Sequence, residues 1–171
     1  MTLKLTLIQK RHDRKNFDCG YKELNDFLAH SARGSNDKRM TRTYVLEDPD
    51  SPNTVMGYVT LTFTNIEIPP ECGPGKKLKS PAPALLLAKM GVSKNYQGHG
   101  YGQDLLTFAL KQASETSNQV GGVGLVIDAK DQKAKAFYMS QAGEDVEIID
   151  DSGLRLWIPI DICDAIADEV G

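Results

Sequence analysis

The stretch Leu87-Ala88-Lys89-Met90-Gly91-Val92-Ser93-Lys94-Asn95-Tyr96-Gln97-Gly98-His99-Gly100-Tyr101-Gly102-Gln103-Asp104-Leu105-Leu106 changes character twice. It begins inside a run, Ala84 to Val92, that is almost continuously apolar, as a strand covered on both faces should be. It leaves as an amphipathic pattern, with Leu105, Leu106, Ala109, Leu110 and Ala113 at helical spacing. Between them, Gln97-Gly98-His99-Gly100-Tyr101-Gly102 places glycine at alternate positions. Such glycines open backbone conformations closed to other residues and let the chain approach a ligand closely. The N–H groups of the loop and the first helical turn then converge at the positive end of a helix dipole, which attracts a phosphate or pyrophosphate. The spacing is not the nucleotide-binding G-x-x-x-x-G-K-[ST], since no lysine follows Gly102, and it is not the dinucleotide G-x-G-x-x-G.

Working outward, Leu3, Leu5 and Leu7 alternate with Lys4 and Thr6, the period of a half-buried strand. From Asp18 the period changes to a helix with Leu24, Phe27, Leu28 and Ala32 on one face. Asp18 or Gly20 is its candidate cap, Glu23 lies in its first turn, and its end is expected near Gly34. Thr41 to Leu46 reads as a strand, Asp48 to Asn53 as a turn, and Val55 to Phe63 as a second strand, with a continuation to Ile68 open. Pro69 to Pro83, rich in proline and charge, reads as a long surface loop that packs no core, functional or simply connecting. After the central segment come a strand at Val123 to Ile127 and a helix at Gln132 to Gln141 burying Ala134, Phe137 and Tyr138. Strands at Val146 to Ile149 and Leu154 to Ile160 follow, with a closing helix at Asp161 to Val170. The order β-α-β-β-β-α-β-α-β-β describes a mixed α/β (α+β) sheet with helices on both faces.

A chain of 171 residues suits one domain, 1–171, with a sizeable core. The net charge of -3 argues against a generally nucleic-acid-binding surface but leaves a local basic patch open. Three cysteines form an odd count with no C-x-x-C, so neither a disulfide framework nor a zinc site is expected. His12, His30 and His99 also lack metal-ligand spacing, and no metal is expected. The first residues do not form a signal peptide and no apolar run approaches a membrane span, so a cytoplasmic protein is expected.

Gln97, Gly100 and Gly102 match the Q/R-x-x-G-x-G/A signature of the GNAT acetyltransferases. The resemblance extends on both sides. Met90-Gly91-Val92 resembles the strand whose splayed backbone pairs with the pantetheine arm of coenzyme A in that family. Ala134-Lys135-Ala136-Phe137-Tyr138, followed by Gly143, resembles the A-x-x-F-Y-x-x-x-G-F segment, except that Glu144 stands where the final aromatic belongs. The resemblance implies a GNAT fold with a largely antiparallel sheet, and an enzyme moving the acetyl group of acetyl-CoA directly to an amine. It implies cofactor contacts at Met90, Gly91, Val92, Gln97, Gly98, His99, Gly100, Tyr101, Gly102, Ala134 and Phe137. It also implies an oxyanion donor in the Val92 N–H and a catalytic Tyr138 beside the departing sulfur. Taken alone, Tyr138 reads more readily as a core aromatic beside Phe137 than as a catalytic group. Glu67, Asp128 and His99 are conceivable general bases, as is unassisted deprotonation through water, and none is assigned.

One branch is closer still. Arg11-His12-Asp13-Arg14, Phe17-Asp18-Cys19-Gly20, Leu24-Asn25 and Phe27-Leu28 resemble the N-terminal half of GNAT toxins from bacterial toxin–antitoxin modules. Thr41-Arg42-Thr43-Tyr44-Val45-Leu46 and the proline-rich loop ahead of Leu85-Leu86-Leu87 extend the likeness. The resemblance implies acetylation of the amino group of aminoacyl-tRNA, which blocks translation. It further implies a ribbon-helix-helix antitoxin as partner and a possible homodimer. Lys89 and Lys94, where the toxins tend to carry arginine, and Arg42 are the candidate tRNA contacts. Arg33, Lys38, Arg39, Lys76, Lys77 and Lys79 complete a possible basic rim, although solvated surface charge is the usual fate of such residues. The alternatives are a GNAT enzyme acting on a small amine, peptide or protein N-terminus, and a CoA-binding module without turnover.

Overall fold

The computed structural model describes residues 4–170. Its strands form one sheet in the order Leu5–Leu7, Arg42–Asp48, Ser51–Ile66, Ala82–Val92, Gly124–Asp128, Arg155–Pro159 and Glu147–Ile148. The chain divides into two compact units, Met1–Thr62 with Ala88–Leu106, and Phe63–Leu87 with Thr107–Gly171.

The first unit begins with β1 (Leu5–Leu7); Leu3, also expected in this strand, lies outside the described residues. Two helices follow, α1 (Lys22–His30) and α2 (Ala32–Asp37), where the periodicity had suggested one. Ser31, at φ -123°, breaks the helical path between them. The second helix runs past Gly34 because Asn36 is buried and its Oδ1 accepts the Thr43 N–H at 3.1 Å, fastening α2 to the next strand. Neither Asp18 nor Gly20 caps α1, whose N-cap is Tyr21. The Asp18 carboxylate instead accepts the Gly20 N–H at 2.9 Å and closes a turn ahead of the helix.

Strand β2 (Arg42–Asp48) pairs antiparallel with β1 and with β3 (Ser51–Ile66), with Tyr44 opposite Val59. The expected turn shrinks because the Asp48 carboxylate accepts the Asp50 N–H at 2.9 Å, so β3 starts already at Ser51. Between helices and strands, Leu28 and Ala32 pack with Ile8, Phe17, Val45, Val55 and Tyr58. Leu28 is fully buried, which contributes about 1.5–3 kcal/mol. Tyr58 meets Phe17 edge-on at 5.3 Å, stacks on Phe27 at 6.3 Å and donates its hydroxyl to the Leu24 carbonyl at 2.8 Å. The buried phenol thus has a partner, as it must.

In the second unit, β4 (Ala82–Val92) begins in parallel with β5 (Gly124–Asp128), Leu85–Leu87 against Leu125–Ile127. β7 (Arg155–Pro159) runs antiparallel to β5 and to β6 (Glu147–Ile148), which is shorter than the Val146 to Ile149 expected. α4 (Gln132–Ala142) and α5 (Ile160–Val170) lie close to their expected bounds. The long connection after β3 does contribute to a core, contrary to its composition. Ile68 and Cys72 pack with Ala82, Ala84, Val126, Ile149 and Trp157. Its turn, Gly73–Gly75, lies so close to Ile68 that a Cβ on Gly75 would stand 2.1 Å from Ile68 Cγ2. The strand β4 and the helix α3 (Tyr101–Val120) each run from one unit into the other. On α3, Leu105, Leu106, Ala109, Leu110 and Ala113 are all buried, as their spacing foretells.

Candidate active site

Most of the candidate residues belong to the first unit: Arg42, Lys89, Met90, Gly91, Val92, Lys94 and Gln97 to Gly102. Strand β4 ends at Val92, a single 3₁₀ turn spans Lys94–Tyr96, and α3 starts at Tyr101. Gly98 and Gly100 sit at φ +84° and +83°, in the left-handed region where a side chain is strained. Beyond the glycine and its two chain neighbours, no described atom lies within 4 Å of where a Cβ on either would stand. The open space is thus available to a ligand approaching the main chain. The opening bond of α3 runs from the Asp104 N–H to the Gly100 carbonyl at 3.2 Å. The amides ahead of it have no i−4 partner by helix geometry and face the positive end of the dipole. The cradle suits a pyrophosphate. His99 is exposed, its ring 6.0 Å from that of Tyr101.

Gln97 plays a part the sequence did not reveal. Its side-chain Nε2 donates to the Val92 carbonyl at 2.8 Å and to the Cys19 carbonyl at 3.1 Å. Both of its N–H donors are thus spent on protein backbone. Other fasteners of the loop were also missed. The Lys94 N–H donates to the Asp18 carbonyl at 2.8 Å, Ser93 N–H to Met56 O at 2.8 Å, and the Tyr96 phenol to Asp48 Oδ2 at 2.6 Å. Each links segments distant in sequence, so no local pattern announces it. β4 itself passes close to its neighbours. A Cβ on Gly57 would stand 3.1 Å from the Gly91 carbonyl, and one on Gly91 3.2 Å from Cys19 Sγ.

Lys89, Lys94 and Arg42 are each engaged within the protein. Lys89 Nζ lies 5.3 Å above the centre of the Phe27 ring, a cation–π arrangement. Lys94 Nζ is 3.4 Å from Asp18 Oδ2, and Arg42 donates to the Asn36 carbonyl at 3.3 Å. The backbone bond from Gly20, the side-chain bond from Asn25 and the nearby Lys94 hold the Asp18 carboxyl below the usual aspartate range, outweighing the opposing effect of burial.

Ala134, Phe137 and Tyr138 lie on α4, in the second unit. The helix is capped by Asp131, whose carboxylate accepts the Ala134 N–H at 2.8 Å. Tyr138 is buried at 7% exposure with the Phe137 ring edge-on at 5.4 Å. Phe137 and Ala134 are only partly buried, a correction to the expectation that all three side chains are covered. Burial pushes the Tyr138 phenol well above the usual tyrosine range, so it keeps its proton at any physiological pH. Of the conceivable bases, Asp128 gives both carboxylate oxygens to Arg155, at 2.8 and 3.2 Å. Glu67 lies exposed just beyond the end of β3 rather than on it.

The acetyltransferase (GNAT) family model matches residues 8–143. A probable toxin TacT from Sinorhizobium fredii is 28% identical over 121 residues, covering 69% of this chain and 66% of that protein. A tRNA-acetylating toxin from Mycobacterium tuberculosis is 24% identical over 133 residues, covering 77% of this chain and 78% of that protein. The crystal structure of a mutant of KacT superposes with a TM-score of 0.88 at 27% identity, covering 97% of this chain and 99% of that one.

Proposed function

The chain belongs to the acetyltransferase (GNAT) family, and from that membership we propose that it transfers the acetyl group of acetyl-CoA to the amino group of an aminoacyl-tRNA. The observation that carries the cofactor is the Gly98–Gly100 turn, open beside both α-carbons and set on the N-terminus of α3. The amides of Gly98 to Gly102 would hold the pyrophosphate and the backbone of Met90 to Val92 would take the pantetheine arm; Ala134 and Phe137 are the further contacts that the family resemblance implies. When bound, the cofactor supplies an acetyl group activated as a thioester.

The chain's own residues then have three tasks. The Val92 N–H would donate to the acyl oxygen and stabilise the negative charge that develops there. Tyr138, kept protonated by burial, would donate its phenolic hydrogen to the thiolate sulfur, while the proton lost by the amine would pass to water. Lys89, Lys94 and Arg42 attract the phosphates of the acceptor, an attraction that weakens with salt as counterions are released. Support for the acceptor comes from the relative named as a tRNA-acetylating toxin.

A second reading, with a small amine or peptide as acceptor, draws support from one observation. Lys94 and Arg42 already have partners in Asp18 and the Asn36 carbonyl, which lowers the free charge available to a polyanion.

Labelled acetyl-CoA is offered to the protein with total charged tRNA, and separately with polyamines, aminoglycosides and peptides. Label on aminoacyl-tRNA, at a rate that falls as salt rises, supports the first reading. Label on a small amine or peptide alone moves the acceptor to the second, and no transfer to any of them with the cofactor bound overturns both.

A further inference from the structure

Cys19 is held between two carboxamides. Its N–H donates to Asn25 Oδ1 at 2.9 Å, and Asn25 stands on the first turns of α1. Its carbonyl accepts Gln97 Nε2 at 3.1 Å, at the entrance to the glycine loop. The same Asn25 donates its Nδ2 to Asp18 Oδ1 at 3.0 Å, and the Asp18 carbonyl accepts the Lys94 N–H at 2.8 Å. Ser93 Oγ adds a bond to that carbonyl at 3.3 Å. One side chain of α1 therefore holds the Cys19 N–H and the Asp18 carboxylate, and the carbonyls of the same two residues bond to Ser93, Lys94 and Gln97.

We propose that Asn25 is a positioning residue for the cofactor loop: it acts through Cys19 on Gln97 and sets the direction in which the loop amides point. Asn25 Oδ1 accepts the Cys19 N–H and its Nδ2 donates to the Asp18 carboxylate, which holds this segment against α1. The Asp18 and Cys19 carbonyls therefore remain directed at Lys94 and Gln97. A loop with two left-handed glycines has a wide choice of backbone conformations. The Gln97 carboxamide, bonded to Cys19 O and Val92 O together, restricts that choice before a ligand arrives. Preorganisation of this kind appears in cofactor affinity and leaves the chemical step unchanged once the cofactor is bound. The proposal rests on reading residues 97 to 102 as the cofactor loop.

The test is a double-mutant cycle on the full chain, read by calorimetric binding of CoA and by the separate kcat and KM for acetyl-CoA. Asn25→Ala removes the clasp on Cys19. Gln97→Met keeps the length of the side chain and adds no charge beside the loop, but has no N–H to offer. Each should weaken CoA binding and raise the KM for acetyl-CoA by about three- to tenfold, the effect of one or two net hydrogen bonds. The kcat at saturating cofactor should stay within about twofold, and Asp18→Asn, which keeps the acceptor oxygen for Asn25, should bind nearly as the parent does. The double variant should bind no more weakly than the weaker single one, because both act through Cys19. Multiplicative losses, or a folded Asn25→Ala that binds CoA like the parent, overturn the proposal while leaving the cofactor loop in place. If the parent binds no CoA, the reading of the loop itself fails. Should Asn25→Ala not fold, Asp18→Ala takes its place in the cycle, since it removes the carboxylate that receives Asn25 Nδ2.

Discussion

Tyr96 and Asp48 share a 2.6 Å hydrogen bond in which the phenol donates to Oδ2, joining the turn before the glycine loop to the end of β2. Each partner responds. The bond to Asp48 raises the Tyr96 phenol above its ordinary range, and the bond from Tyr96 holds the Asp48 carboxyl below its own. A depressed aspartate stabilises the fold above its unfolded pKa of about 3.9 and loses that contribution as pH falls through the lower folded value. Tyr96→Phe should therefore lower the melting temperature at pH 7, and the gap to the parent should shrink below about pH 4. A gap of equal size at pH 3 would assign the loss to packing instead of the bond.

Gly98 and Gly100 separate stability from binding. At φ +83°, Gly100→Asp costs about 1–2 kcal/mol of backbone strain. In the free protein its side chain would enter open space. Against a pyrophosphate, the added bulk and charge should weaken CoA binding at least about tenfold, a difference of 1.4 kcal/mol. Thermal melting and calorimetry on one preparation give both quantities, and unchanged CoA affinity would move the cofactor elsewhere.

Tyr138→Phe should preserve the buried ring contact with Phe137 and hence the fold. It should leave CoA affinity unchanged and lower kcat by about 10²-fold, the low end of what a positioned acid contributes. Because burial raises the phenol's pKa, no loss of activity from its ionisation should appear in a pH profile up to about pH 9. A fall in kcat of less than about threefold would return Tyr138 to a purely structural part.

Gly75 tests whether the segment between β3 and β4 is built or merely connecting. A Cβ there would meet Ile68 Cγ2 at 2.1 Å, so Gly75→Ala should destabilise by about 1–3 kcal/mol, as overpacking does. Ile68→Ala removes the offending methyl. The double variant should be less destabilised than the two single losses added together, measured by urea unfolding.

What the sequence disclosed, it disclosed through local rules. The burial of Leu105, Leu106, Ala109, Leu110 and Ala113 follows from helical spacing, and the left-handed Gly98 and Gly100 follow from alternate glycines. What it hid depends on residues far apart. Asn36 extends α2 because Thr43 lies beside it, and Asp18, though a good cap by type, serves a turn and the Asn25 side chain instead. Gln97 was legible as a member of the signature, but its bonds to Val92 and Cys19 were not. A composition rich in proline and lysine concealed the buried Cys72 and Ala82, because two well-placed apolar residues barely alter an average.

That buried Cys72 gives the protein an internal clock. Its thiol is 7% exposed and burial raises its pKa, so a reagent reaches it as a thiolate only when the proline-rich segment lifts away from Trp157 and Val126. Cys163, fully covered and pushed up to about 12, waits for a deeper opening. The ratio of the two labelling rates measures how often the segment detaches alone and how often the whole unit comes apart. The chain thus carries its own reporters of local and global unfolding, with no probe introduced.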